Sequence, residues 1–359
     1  MRHRSVLVLA CFGLVGLVGA CSPPAALRRL AGRDPARAPA LPAPPPTPKP
    51  PSRAMFGVVV ITNDAGWSSV LPHASKAGAL IIDVIPGTPA EKAGVQAGEV
   101  ITGIDDHEIH NHDAVLVAFR STSDPAHRVT VVTPEGEPRA LDTLLEPAGT
   151  LSLSDHLRRR FQEKDTPVSR FLMAQNVATA EEALTLLRPL VQKVPRFAPA
   201  QALLARRLLE QAAEKLLSSQ TLSSAEQRSI RSAVTRATSL DPKSADIRVV
   251  HARALLFLGD GAGGERQAAQ AVRLDPTSGE AHHILGLSRL VLERPREAVA
   301  PLHEAIALDP YNVDYYVGLA RAYRAVGHNP QAQQTIDAGK SLVDDPEEKA
   351  QLDQLVNSR

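Results

Sequence analysis

The chain has two cysteines, and their positions decide what thiol chemistry the sequence allows. Cys11 lies inside an N-terminal apolar run and Cys21 lies at its end, whereas no cysteine occurs from Ser22 to Arg359. A thiol nucleophile, a disulfide and a cysteine-ligated zinc are therefore excluded beyond Cys21. Cys21 follows the small residues Gly19 and Ala20, which is what a signal peptidase requires before its cut.

A second group of residues has the composition of a metal site, because histidines alternate with carboxylates along one short stretch. Its members are His107, His110 and His112 with Asp105, Asp106, Glu108 and Asp113. We expect this stretch to form an exposed hairpin and the start of a helix, which favours adventitious zinc at most. The sequence therefore predicts no working metal site, and a metal-dependent enzyme built on this cluster is kept as a third hypothesis.

Two glycine motifs resemble nucleotide-binding loops but occur in the wrong context. Gly259, Gly261 and Gly264 match G-x-G-x-x-G, yet they follow a helix pattern and not a strand. Gly339-Lys340-Ser341 lacks the upstream glycine of a phosphate-binding loop. No Ser-His-Asp arrangement is supported either. We predict no catalytic residue, no cofactor and no enzymatic activity.

The bulk composition narrows the class of partner. Acids and bases nearly cancel, with 40 Lys and Arg against 39 Asp and Glu, and aromatic residues make up only 3% of the 359 residues. The balance gives no electrostatic attraction to nucleic acid, and the aromatic content speaks against base-stacking surfaces. We expect no nucleic-acid partner.

The N-terminus has the order of a secretory signal. Arg2 and Arg4 precede an apolar stretch from Val6 to Val18, which is short and glycine-rich for a membrane span. Residues 1–21 resemble a bacterial lipoprotein signal peptide. The resemblance implies a lipid on Cys21, and with Ser22 next it implies the outer membrane, facing the periplasm of the cell envelope. Two or three acyl chains anchor a protein stably. An ordinary secretory signal is the alternative.

Residues 22–52 are dominated by proline and alanine, including Leu41-Pro42-Ala43-Pro44-Pro45-Pro46. Such a segment cannot build a core and is expected to be extended and semi-rigid. At about 3 Å per residue it reaches roughly 90 Å. We interpret it as a spacer that holds the folded part away from the membrane.

Residues 53–147 alternate short β-branched runs with short helix patterns, which predicts a small α+β domain built as a partly open β-barrel. This region resembles a bacterial PDZ domain of the kind attached to high-temperature-requirement serine proteases. The resemblance is carried by Arg53-Ala54-Met55-Phe56-Gly57-Val58, by Ile85 to Val95 and by Ala97-Gly98-Glu99-Val100-Ile101. In the middle block, the prolines and Gly87 set a turn, and Gly94 is expected to allow close helix packing.

The PDZ resemblance implies a site for the C-terminus of a peptide. The carboxylate would bind backbone amides of the loop from Met55 to Val58, and the peptide would add a strand beside Val58 to Ile61. A helix starting at His112 would form the other wall, with His112 bonding a ligand hydroxyl. The alternative is that the apolar residues belong to the core. The candidates are Met55, Phe56, Gly57, Val58, Val60, His112, Leu116 and Phe119.

Residues 148–166 form a charged connector, and residues 167–359 have a helical pattern throughout. Leu240-Asp241-Pro242, Leu274-Asp275-Pro276 and Leu308-Asp309-Pro310 recur at a spacing of 34 residues, which is the period of a helix-turn-helix solenoid. This region resembles tetratricopeptide repeats, most clearly over residues 245–346. It predicts an all-α solenoid that ends in a polar capping helix from Pro346 to Asn357, with diverged repeats before residue 242.

The first helix of each repeat would line a concave groove that binds a peptide or a helix of a partner. The alternative is a solvated surface on an architectural stack. The groove candidates by register are Val249, Arg253, His283, Leu287, Val317, Arg321 and Arg324.

Together these features predict a non-enzymatic, lipid-anchored envelope protein that acts as a protein–protein interaction scaffold. Its partners would be proteins or peptides with free C-termini, bound by the PDZ-like domain, and ligands of the helical groove. The alternative is a regulatory or substrate-sensing subunit of a separate envelope protease or secretion system.

Overall fold

The computed structural model describes residues 41–46, 54–63, 65–70, 78–121, 124–147, 159 and 165–357. The predicted signal peptide with Cys21, most of the spacer and most of the connector lie outside these described residues. Within the described part of the chain, no helix combines the length and the apolar character that crossing a bilayer requires.

The N-terminal module is an antiparallel sheet with two short helices. Its sheet has the order β2-β3-β4-β6-β7, with β5 paired to β4, and β1 and β8 form a separate ribbon. The strands are β1 Ala54–Met55, β2 Val58–Thr62, β3 Ala79–Val84, β4 Val100–Ile104, β5 His107–Glu108, β6 Ala126–Val132, β7 Pro138–Leu144 and β8 Glu146–Pro147. The helices are α1 Pro89–Lys92 and α2 His112–Ser121, and a 3₁₀ helix covers Ala65–Ser69.

The sheet follows from the alternation of side chains along its strands. On β6, the buried residues Val129 and Val131 alternate with the more exposed Arg128 and Thr130, and α2 covers this buried face with Val115 and Ala118. Phe56 closes the same core from the loop before β2. The predicted α+β, PDZ-like fold with an open sheet is confirmed.

The C-terminal module is an array of helices joined by short turns. Consecutive helices pack against each other, and the first helices of successive repeats also touch. The helices are α3 Pro167–Asn176, α4 Ala180–Lys193, α5 Ala198–Leu217, α6 Ser224–Leu240, α7 Ala245–Phe257, α8 Gly261–Leu274, α9 Gly279–Val291, α10 Pro295–Leu308, α11 Val313–Ala325, α12 Asn329–Lys340 and α13 Pro346–Asn357. The predicted helical solenoid is confirmed, and the last helix lies where the capping helix is predicted.

The Leu-Asp-Pro recurrence has a local physical cause. Asp241, Asp275 and Asp309 each end a helix, and the following proline cannot continue it. In each turn the Asp Oδ1 accepts the backbone N–H two residues on, at 3.2, 2.9 and 3.0 Å respectively. This Asx-type turn satisfies a backbone donor and aims the chain into the next repeat.

The two modules share one apolar cluster. Val59 and Ile61 on the outer face of β2 pack with Trp67, and the cluster continues into Phe171 of α3 and Phe197 at the start of α5. The Trp67 ring meets Phe171 edge-on with ring centroids 4.9 Å apart, and it meets Phe197 at 5.2 Å. These distances are those of favourable aromatic pairs. The sheet is therefore fixed to the first helices of the array.

Replacing Trp67 by Ala should lower the free energy of unfolding by roughly 3–5 kcal/mol, because a buried indole is lost and a cavity remains. Urea unfolding followed by far-ultraviolet circular dichroism measures the change. The control is Leu144→Ala, since Leu144 is 66% exposed and should change stability by less than about 0.5 kcal/mol. An equal effect of both changes would show that Trp67 does not join the modules.

Candidate functional site

The candidate site is the groove between the edge strand β2 and helix α2. Among the described strands, β2 pairs only with β3, so its other edge has no strand beside it. Val58 and Val60 pack toward the core of the PDZ-like sheet, whereas Val59 and Ile61 point to the opposite face. Because side chains alternate along a strand, Val58 and Val60 lie on the α2 side of β2.

The loop that leads into β2 depends on glycine at position 57. Gly57 has φ +95°, and a Cβ placed there would lie 2.2 Å from the Cβ of Thr88. The Thr88 hydroxyl donates to the carbonyl of Ile85 at 2.5 Å, and the amide of Ile85 donates to the Gly57 carbonyl at 2.9 Å. The predicted carboxylate-binding loop is thereby held against the Pro86-Gly87 turn. The Met55 side chain lies outside the described atoms.

At one end of the groove, His112 is already hydrogen-bonded. Its Nδ1 lies 2.7 Å from the Thr62 hydroxyl of β2, and its Nε2 lies 3.4 Å from an Asp113 carboxylate oxygen. Burial lowers the pKa of His112, but Asp113, Asp246 and Glu280 outweigh burial and raise the pKa above its ordinary value. The Thr62 hydroxyl thus occupies, at Nδ1, the place that the PDZ resemblance gives to a ligand hydroxyl, and a ligand must replace it to bond that nitrogen.

At the other end of β2, two aromatic residues pack against each other. Phe56 is only 5% exposed, and its ring centroid lies 5.3 Å from that of Phe119 on α2. Leu116 is 47% exposed, which makes it the most accessible apolar candidate. In this conformation Phe56 contributes to the core, and Leu116 is an exposed apolar side chain of α2.

Helix α2 also docks on the helical array, at the turns of two successive repeats. Before its first turn, the Asn111 Nδ2 donates to Asp275 Oδ2 at 2.7 Å. Near its end, the Tyr311 hydroxyl donates to the Arg120 carbonyl at 3.0 Å. Asp275 is part of one Leu-Asp-Pro turn, and Tyr311 directly follows the next one. The repeat turns therefore hold the helix that forms one wall of the peptide groove.

Among the described residues, two of the clefts lie where the modules meet. The smaller, of about 190 Å³, lies beside Thr62 and His112 and reaches Arg206, Asp246 and Glu280 of the array. The larger, of about 440 Å³, lies between α2 and the repeats and is lined by Asp113, Val117, Arg253 and His283 among others. A ligand in the β2 groove can therefore touch both modules.

Ion pairing and burial set the charges in these clefts. Arg253 Nη2 lies 2.5 Å from Glu280 Oε1. Burial raises the pKa of the Glu280 carboxyl, but Arg253 and Arg206 outweigh burial and lower the pKa below its usual range. Burial and Arg253 lower the pKa of His283 to about 3, so its imidazole is neutral and packs on the Tyr315 ring at 4.8 Å. Burial raises the pKa of Asp246.

The predicted groove residues of the array fall into three sets. Arg253 and His283 line the larger cleft, opposite the PDZ-like module. Val249, Leu287 and Val317 are buried and contribute to packing between helices. On α11, Arg321 is half-buried, which lowers its pKa, and Arg324 is exposed.

The side chains of the histidine-carboxylate cluster do not converge on one point in the structure. His107 is exposed on β5, His110 lies 3.7 Å from Glu108, and His112 turns to Thr62. Across the described ranges, no group of three or more His, Cys, Asp or Glu side chains is arranged to hold a metal ion.

The residues that join the modules are not among the sequence-predicted candidates. Trp67, Asn111 and Tyr311 act between segments that are distant in sequence, so no local pattern marks them. One signal was available for Trp67, because it is the single tryptophan of the chain and lies five residues after the end of β2.

Comparison with known proteins supports both modules. Residues 80–133 match the model of a PDZ domain, and residues 292–352 match the model of a tetratricopeptide repeat. Both domains are typically non-catalytic interaction modules, and their partners are proteins or peptides. No curated protein matches the chain.

Solved structures similar to the helical part include three tetratricopeptide-like proteins. A thermophilic TPR protein of Thermus thermophilus is 16% identical with a TM-score of 0.44, covering 56% of this chain and 99% of its own. MamA is 13% identical with a TM-score of 0.37, covering 56% and 99%. YrrB, described as a TPR protein with an unusual peptide-binding site, is 13% identical with a TM-score of 0.36, covering 55% and 97%.

Asp314, in the first turn of α11, should make stability depend on pH. Burial raises its pKa to about 6, with Arg253 opposing and Glu280 and Glu348 adding to the shift. Between about pH 4 and about pH 6 the folded state keeps a proton on Asp314 that the unfolded chain has released. The contribution of Asp314 to the free energy of unfolding therefore falls as the pH rises through this range. Asp314→Asn should raise the free energy of unfolding at pH 8 by about 1–3 kcal/mol and change little at pH 4.

Urea unfolding at the two pH values measures this difference. Asp337→Asn serves as the control, because this carboxylate lies on the neighbouring helix α12 and is largely exposed. A loss of stability in Asp314→Asn at pH 8 would mean that the ionised carboxylate is stabilised by Arg253, contrary to the expectation.

Proposed function

We propose that this protein is a non-catalytic interaction scaffold that binds the C-terminal end of a partner polypeptide in the groove between β2 and α2. The observation that carries the proposal is the edge of β2, which has no strand beside it in the described sheet and faces α2. An extended peptide that adds to such an edge gains main-chain hydrogen bonds, and pockets for its alternate side chains give selectivity.

The proposal implies a direction for the bound peptide. With its carboxylate at the Gly57 loop, the peptide runs antiparallel to β2, and its upstream residues pass Thr62 and His112. β2 covers five residues, which is roughly 13 Å from first to last Cα at about 3.3 Å per residue. A peptide longer than about four residues therefore reaches the smaller cleft, where Arg206, Asp246 and Glu280 contribute to recognition.

In the proposal, the helical array contributes a second binding surface next to the β2 groove. Arg253 and His283 lie across the larger cleft from α2. A partner that extends from the β2 groove along α2 meets them, so one ligand can bridge both modules. This arrangement supports a scaffold that reads a polypeptide end and the segment before it.

We also propose that the scaffold is anchored by a lipid on Cys21 in the cell envelope, at the outer membrane and facing the periplasm. The support is the order of charged, apolar and small residues before Cys21 and the serine after it. The proline-rich segment that follows then separates the folded modules from the bilayer.

A display screen of peptides with free C-termini against the full chain should select a family of binding sequences. For a selected peptide, amidating the C-terminus should weaken binding at least about tenfold, because the carboxylate loses its backbone donors. Leu116→Asp should weaken binding by a similar factor, since a charge then lies on the α2 wall. Fluorescence anisotropy measures both effects.

The control is Leu144→Asp, which places the same charge at an exposed leucine on β7, at the opposite edge of the sheet, and should leave peptide affinity unchanged. The proposal fails when the screen selects no peptide, or when amidated and free peptides bind equally well.

A further inference from the structure

The proline-rich segment contacts the helical array. The hydroxyl of Tyr323 on α11 donates to the carbonyl of Pro42 at 2.5 Å. His303 on α10 has its Nε2 2.9 Å from the same hydroxyl, and it makes a hydrogen bond with the backbone of Ala43. Leu41 packs against the apolar cluster of the last repeats. A segment far away in sequence is thus bound at α10 and α11.

The burial pattern of the segment agrees with a polyproline II helix lying on a surface. Leu41, Pro44 and Pro45 are partly buried, whereas Pro42, Ala43 and Pro46 are exposed. A polyproline II helix has three residues per turn, so Leu41 and Pro44 lie on the same side. One side of the segment therefore faces the array, and the other side faces solvent.

The polarity of the contact also fits proline. A proline has no backbone N–H, so a proline-rich segment presents carbonyl acceptors and hardly any donors. The Tyr323 hydroxyl of the array donates to the Pro42 carbonyl, and the His303 imidazole makes a hydrogen bond with the backbone of Ala43. Burial lowers the pKa of His303 and the hydrogen bond with Ala43 opposes that shift.

We propose that α10 and α11 form a binding site for an extended proline-rich segment, and that residues Leu41–Pro46 of this chain are its resident ligand. Docking of these six residues shortens the part of the spacer that can act as a tether. From Cys21 to Leu41 only about 20 residues remain as a tether, which span at most about 60 Å in place of about 90 Å. Docking thereby fixes where the tether leaves the folded modules.

A binding experiment with the full chain tests this site. In one chain, residues 41–46 are replaced by a Gly-Ser sequence of equal length, which empties the site. A fluorescent peptide with the sequence of residues 38–49 should bind this chain, and it should bind the unaltered chain at least about tenfold more weakly, because the chain's own segment competes at an effective concentration in the millimolar range. Fluorescence anisotropy gives both affinities.

The individual contacts are tested in the emptied chain. Tyr323→Phe should weaken binding of the peptide about fivefold, because it removes the hydroxyl that donates to Pro42 and contacts His303, while it keeps the ring. Tyr316→Phe is the matched control, since the Tyr316 hydroxyl on the same helix donates to Pro310 and not to the segment, and affinity should not change. A peptide with aspartate in place of Leu41 should bind at least about tenfold more weakly, with no change to the protein.

Circular dichroism checks that each variant keeps its helices. The proposal is overturned when the emptied chain fails to bind the peptide, or when the aspartate-containing peptide binds as well as the original. Equal affinity of Tyr323→Phe and Tyr316→Phe would also contradict it. Each of these outcomes is independent of whether the β2 groove binds C-terminal peptides.

Discussion

The packing of Trp67 between Phe171 and Phe197 is the interaction on which the arrangement of the molecule depends. It joins the outer face of β2 to the first helices of the array, so the PDZ-like sheet and the solenoid share a core. Hydrophobic burial is strong but non-directional, whereas edge-on ring contacts fix orientation as well as distance. The orientation of the sheet in turn brings α2 over the repeat turns at Asp275 and Tyr311.

This shared core makes the two modules dependent on each other. Helix α2 is at once a wall of the β2 groove and a surface held by the array through Asn111 and Arg120. A ligand that fits the groove as it stands leaves these bonds intact. A ligand that displaces α2 must break them, and the array then reduces its affinity. By linkage, whatever binds the array and loosens α2 favours such a ligand by the same free energy.

The sequence predicts the architecture well because its determinants are local. The Leu-Asp-Pro turns carry their own geometry, and the β-branched runs alternate as half-buried strands require. The reason for Gly94 was predicted wrongly: no atom lies within 4 Å of a Cβ placed there, and φ is +75°, so the glycine serves the backbone conformation and not close packing. Val249 and Leu287 were predicted to line the groove but are buried. Which side chains of a helix are buried depends on the rotation of the helix about its axis, and the repeat register alone does not determine that rotation. Contacts such as Trp67 with Phe197 need the tertiary structure.

The repeat turn explains how one motif serves folding and docking together. A carboxylate has two oxygens, and the turn uses only Oδ1, which accepts the amide two residues on. At Asp275 the second oxygen is left to accept from Asn111 of the PDZ-like module. At Asp309 the carboxylate lies within electrostatic reach of Arg120, at the other end of α2. At Asp241, Oδ2 is buried without a hydrogen-bond partner among the described residues. The turn therefore recurs because each repeat needs its backbone geometry. It binds α2 only at the repeats that the shared core places beside that helix.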